Sequence, residues 1–325
     1  MRLNLTRRHM LALTGATLAT AGGARAAMEK PATRTIEGQA FASAWRITLP
    51  DGNNAGTLRA PVDALLAQVD RQMSPWRDDS EISAFNRAPK ETPVSAETAL
   101  VARAALDIAG ASDGWFDPTV GPLIARWGFG PISGDSIPRW QGLAATENSL
   151  AKDAPGLTMD LCGIAKGHAL DLVARRVADL GHGDFLVDLG GELKALGQHP
   201  SGRDWQVAIE DPRPDAIGAV AGLRLPSGMA VATSGLRAQS YMIGERRYSH
   251  IMDPRHAAPV DGTIASVSVL AESAMLADGW ATALTAADAD GPALARRNGI
   301  AALFLFQDGT QLSTVTTGGF DRHLI

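Results

Sequence analysis

The chain has 325 residues, 45% of them hydrophobic and 20% charged, and a formal net charge of −5. That balance predicts a folded soluble protein long enough to bury a large core, and its mild acidity excludes a basic nucleic-acid surface. No stretch of the body approaches the roughly 18 apolar residues of a membrane span, so no stable membrane insertion is expected.

Residues 1–26 read as an address. Adjacent Arg7 and Arg8 precede the apolar run MLALTGATLATAGGA, and Ala24-Arg25-Ala26 supplies a small-residue cleavage pattern. The order predicts a twin-arginine signal peptide cut after Ala26, export to the bacterial periplasm, and one domain over 27–325. The single cysteine, Cys162, cannot form a disulfide within the chain and is expected to be buried. It also removes zinc-cluster and CxxC chemistry, and the seven histidines show no HExxH spacing.

In chain order, FASAWRITL (41–49) reads as a strand and 58–73 as a helix. SPWRDDSEISAFN begins as a turn, and 95–111 reads as a helix with Ser95 as its cap and Glu97 in the first turn. DGWFDPTVGPLIARWGFGPISG (113–134) is a Gly- and Pro-rich ordered loop around a short helical piece. LTMDL (157–161) reads as a strand leading to a helix at 164–180, and FLVDL (185–189) as a buried strand before the Gly190-Gly191 turn. Short strands are expected near 192–196, 205–210, 220–225, 230–233, 246–250 and 264–270. Helices at 273–286 and 291–298, a strand at 302–306 and its hairpin partner at 311–315 close the chain. Without regular βαβ alternation, the fold class is α+β.

GxGxxG, GxxxxGK[ST] and GxSxG are all missing, which removes the usual Rossmann, P-loop and α/β-hydrolase mechanisms. Polar residues in apolar settings remain. MDLCGIAKGHALD (159–171) sets Asp160 before Gly163, Lys166 and Gly167 at a helix start, which suits either an anion site or a plainly capped helix. YSHIMDP puts His250 in a strand-like context, where a lone histidine is more often a core or edge residue than a base. MLADGWATAL (275–284) carries Asp278 and Thr282 on one helix face; Thr282 could simply bond the carbonyl of Asp278, whereas a buried unpaired carboxylate is costly. Singly, none decides.

Together they do. MSPWRDDSEISAFN, FDPTVGPLIARWGFG, MDLCGIAKGHALD, FLVDLGGELKALG, ATSG, RYSHIMDP and ADGWATAL follow the order found in the ApbE family, which the chain resembles from about residue 41 to its end. The resemblance implies an α+β architecture of mixed sheets and packed helices related to the T-fold and not to the Rossmann fold. It also implies magnesium-dependent transfer of FMN from FAD to a Thr or Ser hydroxyl of an acceptor protein, with release of AMP. Some relatives instead hydrolyse FAD to FMN and AMP, and a third possibility is a non-catalytic FAD-binding protein.

On the family pattern Asp278, Thr282 and the carbonyl of Gly163 correspond to the Mg2+ ligands, and His250 to the base that takes the acceptor's proton. Phe41, Trp76, Trp115, Phe116, Asp117, Asp160, Lys166 and Ile251 correspond to flavin-contacting positions. Phe41-Ala42-Ser43 stands where the family often has Met-Gly-Thr, and His256-Ala257 where Thr-Gly is usual. Cys162 replaces a common Gly or Ser, and Ala281 an additional Asp of some relatives. The implied partners are FAD and the exported flavin domain of a membrane-bound electron-transfer complex.

Overall fold

The computed structural model describes residues 32–325 apart from 53–54, 214–215, 237–238 and 245. The predicted export segment, 1–26, lies outside the described residues. Chain order opens with β1 (Thr33–Ala40), β2 (Ser43–Pro50), α1 (Arg59–Met73), α2 (Glu81–Arg87), β3 (Glu91–Pro93), α3 (Ala96–Ala111) and α4 (Gly121–Arg126). It continues through β4 (Leu143–Ala145), β5 (Ser149–Lys152), α5 (Ala165–Asp179), β6 (Phe185–Leu189), β7 (Glu192–Leu196), β8 (Trp205–Glu210) and β9 (Ala219–Leu225). After β10 (Ala230–Gly235) come β11 (Ser240–Ile243), β12 (Arg246–Ser249), β13 (Met252–Asp253), β14 (Ala258–Pro259) and β15 (Ile264–Ala271). The chain ends with α6 (Ala274–Ala286), α7 (Gly291–Arg297), β16 (Ala301–Asp308) and β17 (Gln311–Thr317).

The fold is α+β, built on an eight-stranded sheet in the order β1-β2-β6-β7-β10-β15-β16-β17, with every neighbouring pair antiparallel. Period-two alternation divides its side chains between two cores. Val267, Val269, Ala302 and Phe304 join the core beneath α1, α3, α5 and α6. Leu270, Leu303 and Leu305 join a second core closed by Trp205, Leu223 and Phe320, from the β8–β9 ribbon and the C-terminal turn. Strands buried on both faces explain why ALFLF is continuously apolar. No helix among the described residues is long and apolar enough to cross a membrane.

Two sequence expectations are corrected. LTMDL is not a strand: the Asn86 side chain donates to Met159 O at 3.0 Å and accepts from Met159 N–H at 2.7 Å, while Asp160 N–H donates to Pro118 O at 2.7 Å. A side-chain amide takes the backbone groups that a neighbouring strand would otherwise satisfy. The strand expected at 41–49 starts at Ser43, because Phe41 and Ala42 form the turn of a hairpin whose first strand, β1, the alternation did not reveal. The helix at 95–111 forms with Ser95 as its cap, the Ser95 hydroxyl accepting from Thr98 N–H.

The turn residues Phe41 and Ala42 have φ of 51° and 56°, and Ala257 has φ of 51°. Two-residue hairpins with both φ values positive favour Asn-Gly because a Cβ is strained there. The resemblance to the ApbE family implies Gly at both Ala42 and Ala257. Ala257→Gly is therefore expected to stabilise the protein by about 0.5–1 kcal/mol, the relieved strain less the added chain entropy. A chemical-denaturation midpoint that falls instead would contradict this account.

Candidate active site

The site is built where α6 crosses the start of α5. Asp171, on α5, caps α6: its carboxylate accepts from Ala274 N–H at 3.0 Å, Met275 N–H at 3.1 Å and Ser273 Oγ at 3.0 Å. Lys194 Nζ, 2.7 Å from the same carboxylate, ties β7 to this junction. The cap satisfies amides left open at a helix start and places a negative charge at its positive end. One turn further on, the helices approach so closely that a Cβ on Gly167 would lie 2.2 Å from Ala274 O and 2.7 Å from Asp278 Cβ. Only glycine fits, and its N–H donates to Asp278 Oδ2 at 2.8 Å.

Asp278 is 5% exposed, and this is the one hydrogen bond it receives among the described residues. Burial raises its pKa, opposed by the Lys166 ammonium and the Gly167 N–H, so burial outweighs the positive charge that the pocket offers this carboxylate. Thr282, one turn along α6, does not bond back to the carbonyl four residues earlier, as Thr285 does to Ala281 O at 2.8 Å. Its hydroxyl instead donates to Gly163 O at 3.3 Å and lies 3.4 Å from Ser234 Oγ on β10. Asp278, Thr282 and the Gly163 carbonyl thus supply three hard oxygen donors where α6 meets the start of α5, a set whose chemistry fits magnesium. No group of three or more His, Cys, Asp or Glu side chains suited to a metal occurs among the described residues, so a softer transition-metal cage has no ligands there.

Around this centre the charges are coupled. Lys166 Nζ lies 2.8 Å from Glu192 Oε2, and Glu192 is 3% exposed. Burial would lower the Lys166 pKa, but Glu192 and Asp278 outweigh it and hold the amine above its ordinary value. Burial pushes Glu192 up to about 8, against the pull of Lys166 and with the added repulsion of Asp278. Asp160 accepts from Cys162 N–H at 2.9 Å, and burial raises its carboxyl. Cys162 is exposed rather than buried, a correction explained by its position on the turn that opens the cleft. Its thiol is nonetheless held well above its ordinary pKa by the protein around it and by Asp160, which disfavours the thiolate.

His250, just after β12, is half-buried. Burial lowers its pKa; the Gln239 carbonyl favours the cation, and the charge of Lys166 disfavours it. Its Nδ1 lies 3.3 Å from Gln239 O, an atom that can only accept, so Nδ1 carries the hydrogen and Nε2 is left as a proton acceptor.

The positions expected to contact flavin are less uniform. Phe116 is buried, with its ring edge 3.3 Å from where a Cβ on Gly163 would be, so it forms the floor beneath that carbonyl. Phe41, at the strained turn, packs partly buried on the core; its neighbour Ser43 lies 3.0 Å from a Cβ placed on Gly190, and Lys166 Cδ 3.8 Å from it. Trp76 is 68% exposed on the turn after α1, with a ring face open to stacking. Trp115 has the Arg255 guanidinium 4.0 Å above its ring and faces a cavity of ≈ 470 Å³ shared with Asp253, His256 and Asp288. Asp117 is turned inward, where it accepts from Thr119 N–H, Thr119 Oγ and Trp140 N–H and shapes the 117–140 loop. Ile251 is buried in the main core. The structure therefore brings Gly163, Asp278, Thr282, Lys166, Asp160 and Phe116 together, with His250 within reach of the Lys166 charge, while Trp76 is exposed and Trp115 and Asp117 make their contacts elsewhere.

Glu192, Asp171 and Ser234 were not singled out from sequence. A glutamate at the first position of a strand after Gly190-Gly191 carries one legible signal, since its inward register makes its charge costly.

A family model described as the ApbE family matches residues 41–304. An FAD:protein FMN transferase of Vibrio cholerae is 36% identical over 319 residues, covering 92% of this chain and 95% of the relative. One from Escherichia coli is 30% identical, covering 89% of each. Among solved structures, the flavin transferase ApbE from Vibrio cholerae superposes with a TM-score of 0.81 at 32% identity, covering 90% of this chain and 99% of that one. The flavinyl transferase ApbE of Pseudomonas stutzeri gives 0.79 at 34% identity, covering 90% and 96%.

With its carboxyl pushed up to about 8 by burial, Glu192 is expected to keep between about pH 5 and 8 a proton that the unfolded chain releases, so that stability falls as pH rises through that window. Glu192→Gln is expected to flatten the decline of Tm over the same range in metal-free buffer. An unchanged slope would show that Glu192 is ionised in the folded protein.

Proposed function

Because the chain belongs to the ApbE family and is an FAD:protein FMN transferase, we propose that it works with magnesium, releases AMP and modifies a Thr or Ser hydroxyl. The observation that carries the reading is Asp278, buried with a single N–H donor beside Thr282 and the Gly163 carbonyl. These three would hold Mg2+, which when bound would neutralise charge on the FAD pyrophosphate.

The remaining work belongs to the chain. Gly167 and the Asp171 cap fix Asp278 relative to Gly163. Lys166 brings a cation to the same pocket, suited to a pyrophosphate oxygen. Phe116 keeps the floor dry, and Asp160 offers an acceptor to a flavin ring or ribose donor. Neutral His250 accepts the acceptor's hydroxyl proton at Nε2 as that oxygen forms a bond to the FMN phosphorus. The bond between that phosphorus and the AMP oxygen breaks in line, and AMP leaves with the electron pair. Water at the acceptor's place would give FMN and AMP instead.

We further propose export by the twin-arginine route and action on a periplasmic flavin domain of a membrane-bound electron-transfer complex. Arg7-Arg8, the apolar run and Ala24-Arg25-Ala26 support the route. Incubation with FAD, magnesium and a recombinant acceptor domain bearing a Ser/Thr-rich flavinylation motif tests the reaction by the mass of covalently bound FMN. FMN and AMP without labelling would favour a pyrophosphatase, and unchanged FAD would sink the catalytic reading.

Asp278→Ala is expected to lower magnesium-dependent turnover at least about a hundredfold while leaving the circular dichroism spectrum unchanged. Retained metal dependence would remove Asp278 from the metal set. His250→Ala is expected to reduce FMN transfer about 100- to 10,000-fold with FAD affinity nearly unchanged. Equal loss of binding and transfer would contradict its role as base.

A further inference from the structure

The base sits at the foot of a hairpin that stands apart from the main sheet. His250 N–H donates to Gln239 O at 3.1 Å, one step beyond the Ser240↔Ser249 pair of β11 and β12. A run of rings leads outward from it. Phe129 meets His250 edge-on at 6.4 Å and stacks on Tyr241 at 5.0 Å; Tyr241 lies 5.9 Å from Tyr248, which stacks on Trp127 at 5.2 Å. The Tyr241 hydroxyl donates to Trp127 O at 3.0 Å, so the hairpin is braced on the loop after α4. Ring stacking of this kind gives a firm apolar wall at small entropic cost.

Beyond the rings strand β11 ends in Met242 and Ile243, 51% and 59% exposed. Other large apolar side chains are exposed elsewhere on the described surface, including Leu100, Leu180 and Ile217, but these two share the hairpin with the base. Three to four residues of strand separate them from His250, about 10–13 Å of extended chain. A protein whose hydroxyl reacts at His250 needs a surface beside it to hold the flanking chain, and this one is continuous with the site.

We propose that the β11–β12 tip, with the aromatic stack behind it, docks the acceptor protein through an extended segment with an apolar side chain three to four residues from the target hydroxyl. The inference rests on the transferase reading. Contacts that act only on the acceptor should appear in its KM and leave FAD handling alone.

The test is the double variant Met242→Asp/Ile243→Asp, assayed with the same recombinant acceptor domain, with Ile217→Asp as a control at a distant exposed position. The expected result is an acceptor KM raised about tenfold or more, with unchanged FAD binding, and a control matching the unaltered chain. An unchanged acceptor KM in the double variant would overturn the docking surface while leaving the transferase reading intact. Failure of the unaltered chain to label the acceptor would sink that reading and this surface together. A dimer of the unaltered chain that the substitutions dissociate, with KM unmoved, would assign the tip to self-association and also overturn the inference.

Discussion

The site depends on one close approach. Gly167 at the start of α5 meets Ala274 and Asp278 of α6 at distances that leave no room for a Cβ, and its N–H holds one oxygen of the buried Asp278 carboxylate. Had the helices been about 1 Å farther apart, as even an alanine would require, that hydrogen bond would be lost and a carboxylate left in the core without a partner. Asp171 secures the same junction from the other side by capping α6. Helix packing, more than any single ligand, sets the spacing between the Asp278 carboxylate, the Thr282 hydroxyl and the Gly163 carbonyl.

The electrostatics follow from that confinement. Glu192 and Asp278 both act on one lysine, Lys166, while Asp160 is bonded to Cys162, and burial raises the pKa of all three carboxyls. On the proposed reading a divalent ion would favour the ionised form of these carboxyls, which would make metal affinity and site stability two readings of one quantity. Lys166 has two further effects. It contributes to the field that keeps His250 neutral, and it presents positive charge where an anionic substrate would come. In the proposed role, a histidine kept neutral chiefly by burial, with the Lys166 charge adding to it, would suit proton removal from a hydroxyl beside a phosphate.

The division of the fold into a firm centre and a projecting hairpin matches two unlike substrates. A dinucleotide can be gripped by packed helices, whereas a protein acceptor needs an outward surface. The hairpin is fixed by rings stacked on one another and on the loop after α4, so His250 is tied to both regions.

Much of this was legible in the residues alone. Regular helices and strands appeared where periodicity was strong, as at α1, α3, α5, α6 and β16, and the ordered motifs carried the family. What stayed hidden depended on partners distant in sequence. LTMDL has a strand's composition but gives its backbone groups to Asn86 and Pro118, and β1 has no apolar alternation because its outer edge faces solvent. Thr282 could have bonded within its own helix, and only the arrival of Gly163 from a loop 119 residues away drew its hydroxyl across. The Asp117 carboxylate accepts from Thr119 in its own loop and Glu192 is buried against Lys166, neither of which residue type or spacing announces. Sequence determined which chemical groups were present and which local elements they would ride on, since both follow from residue type and short-range periodicity. Tertiary structure decided which of those groups meet, because burial and close approach are set by segments far apart in the chain.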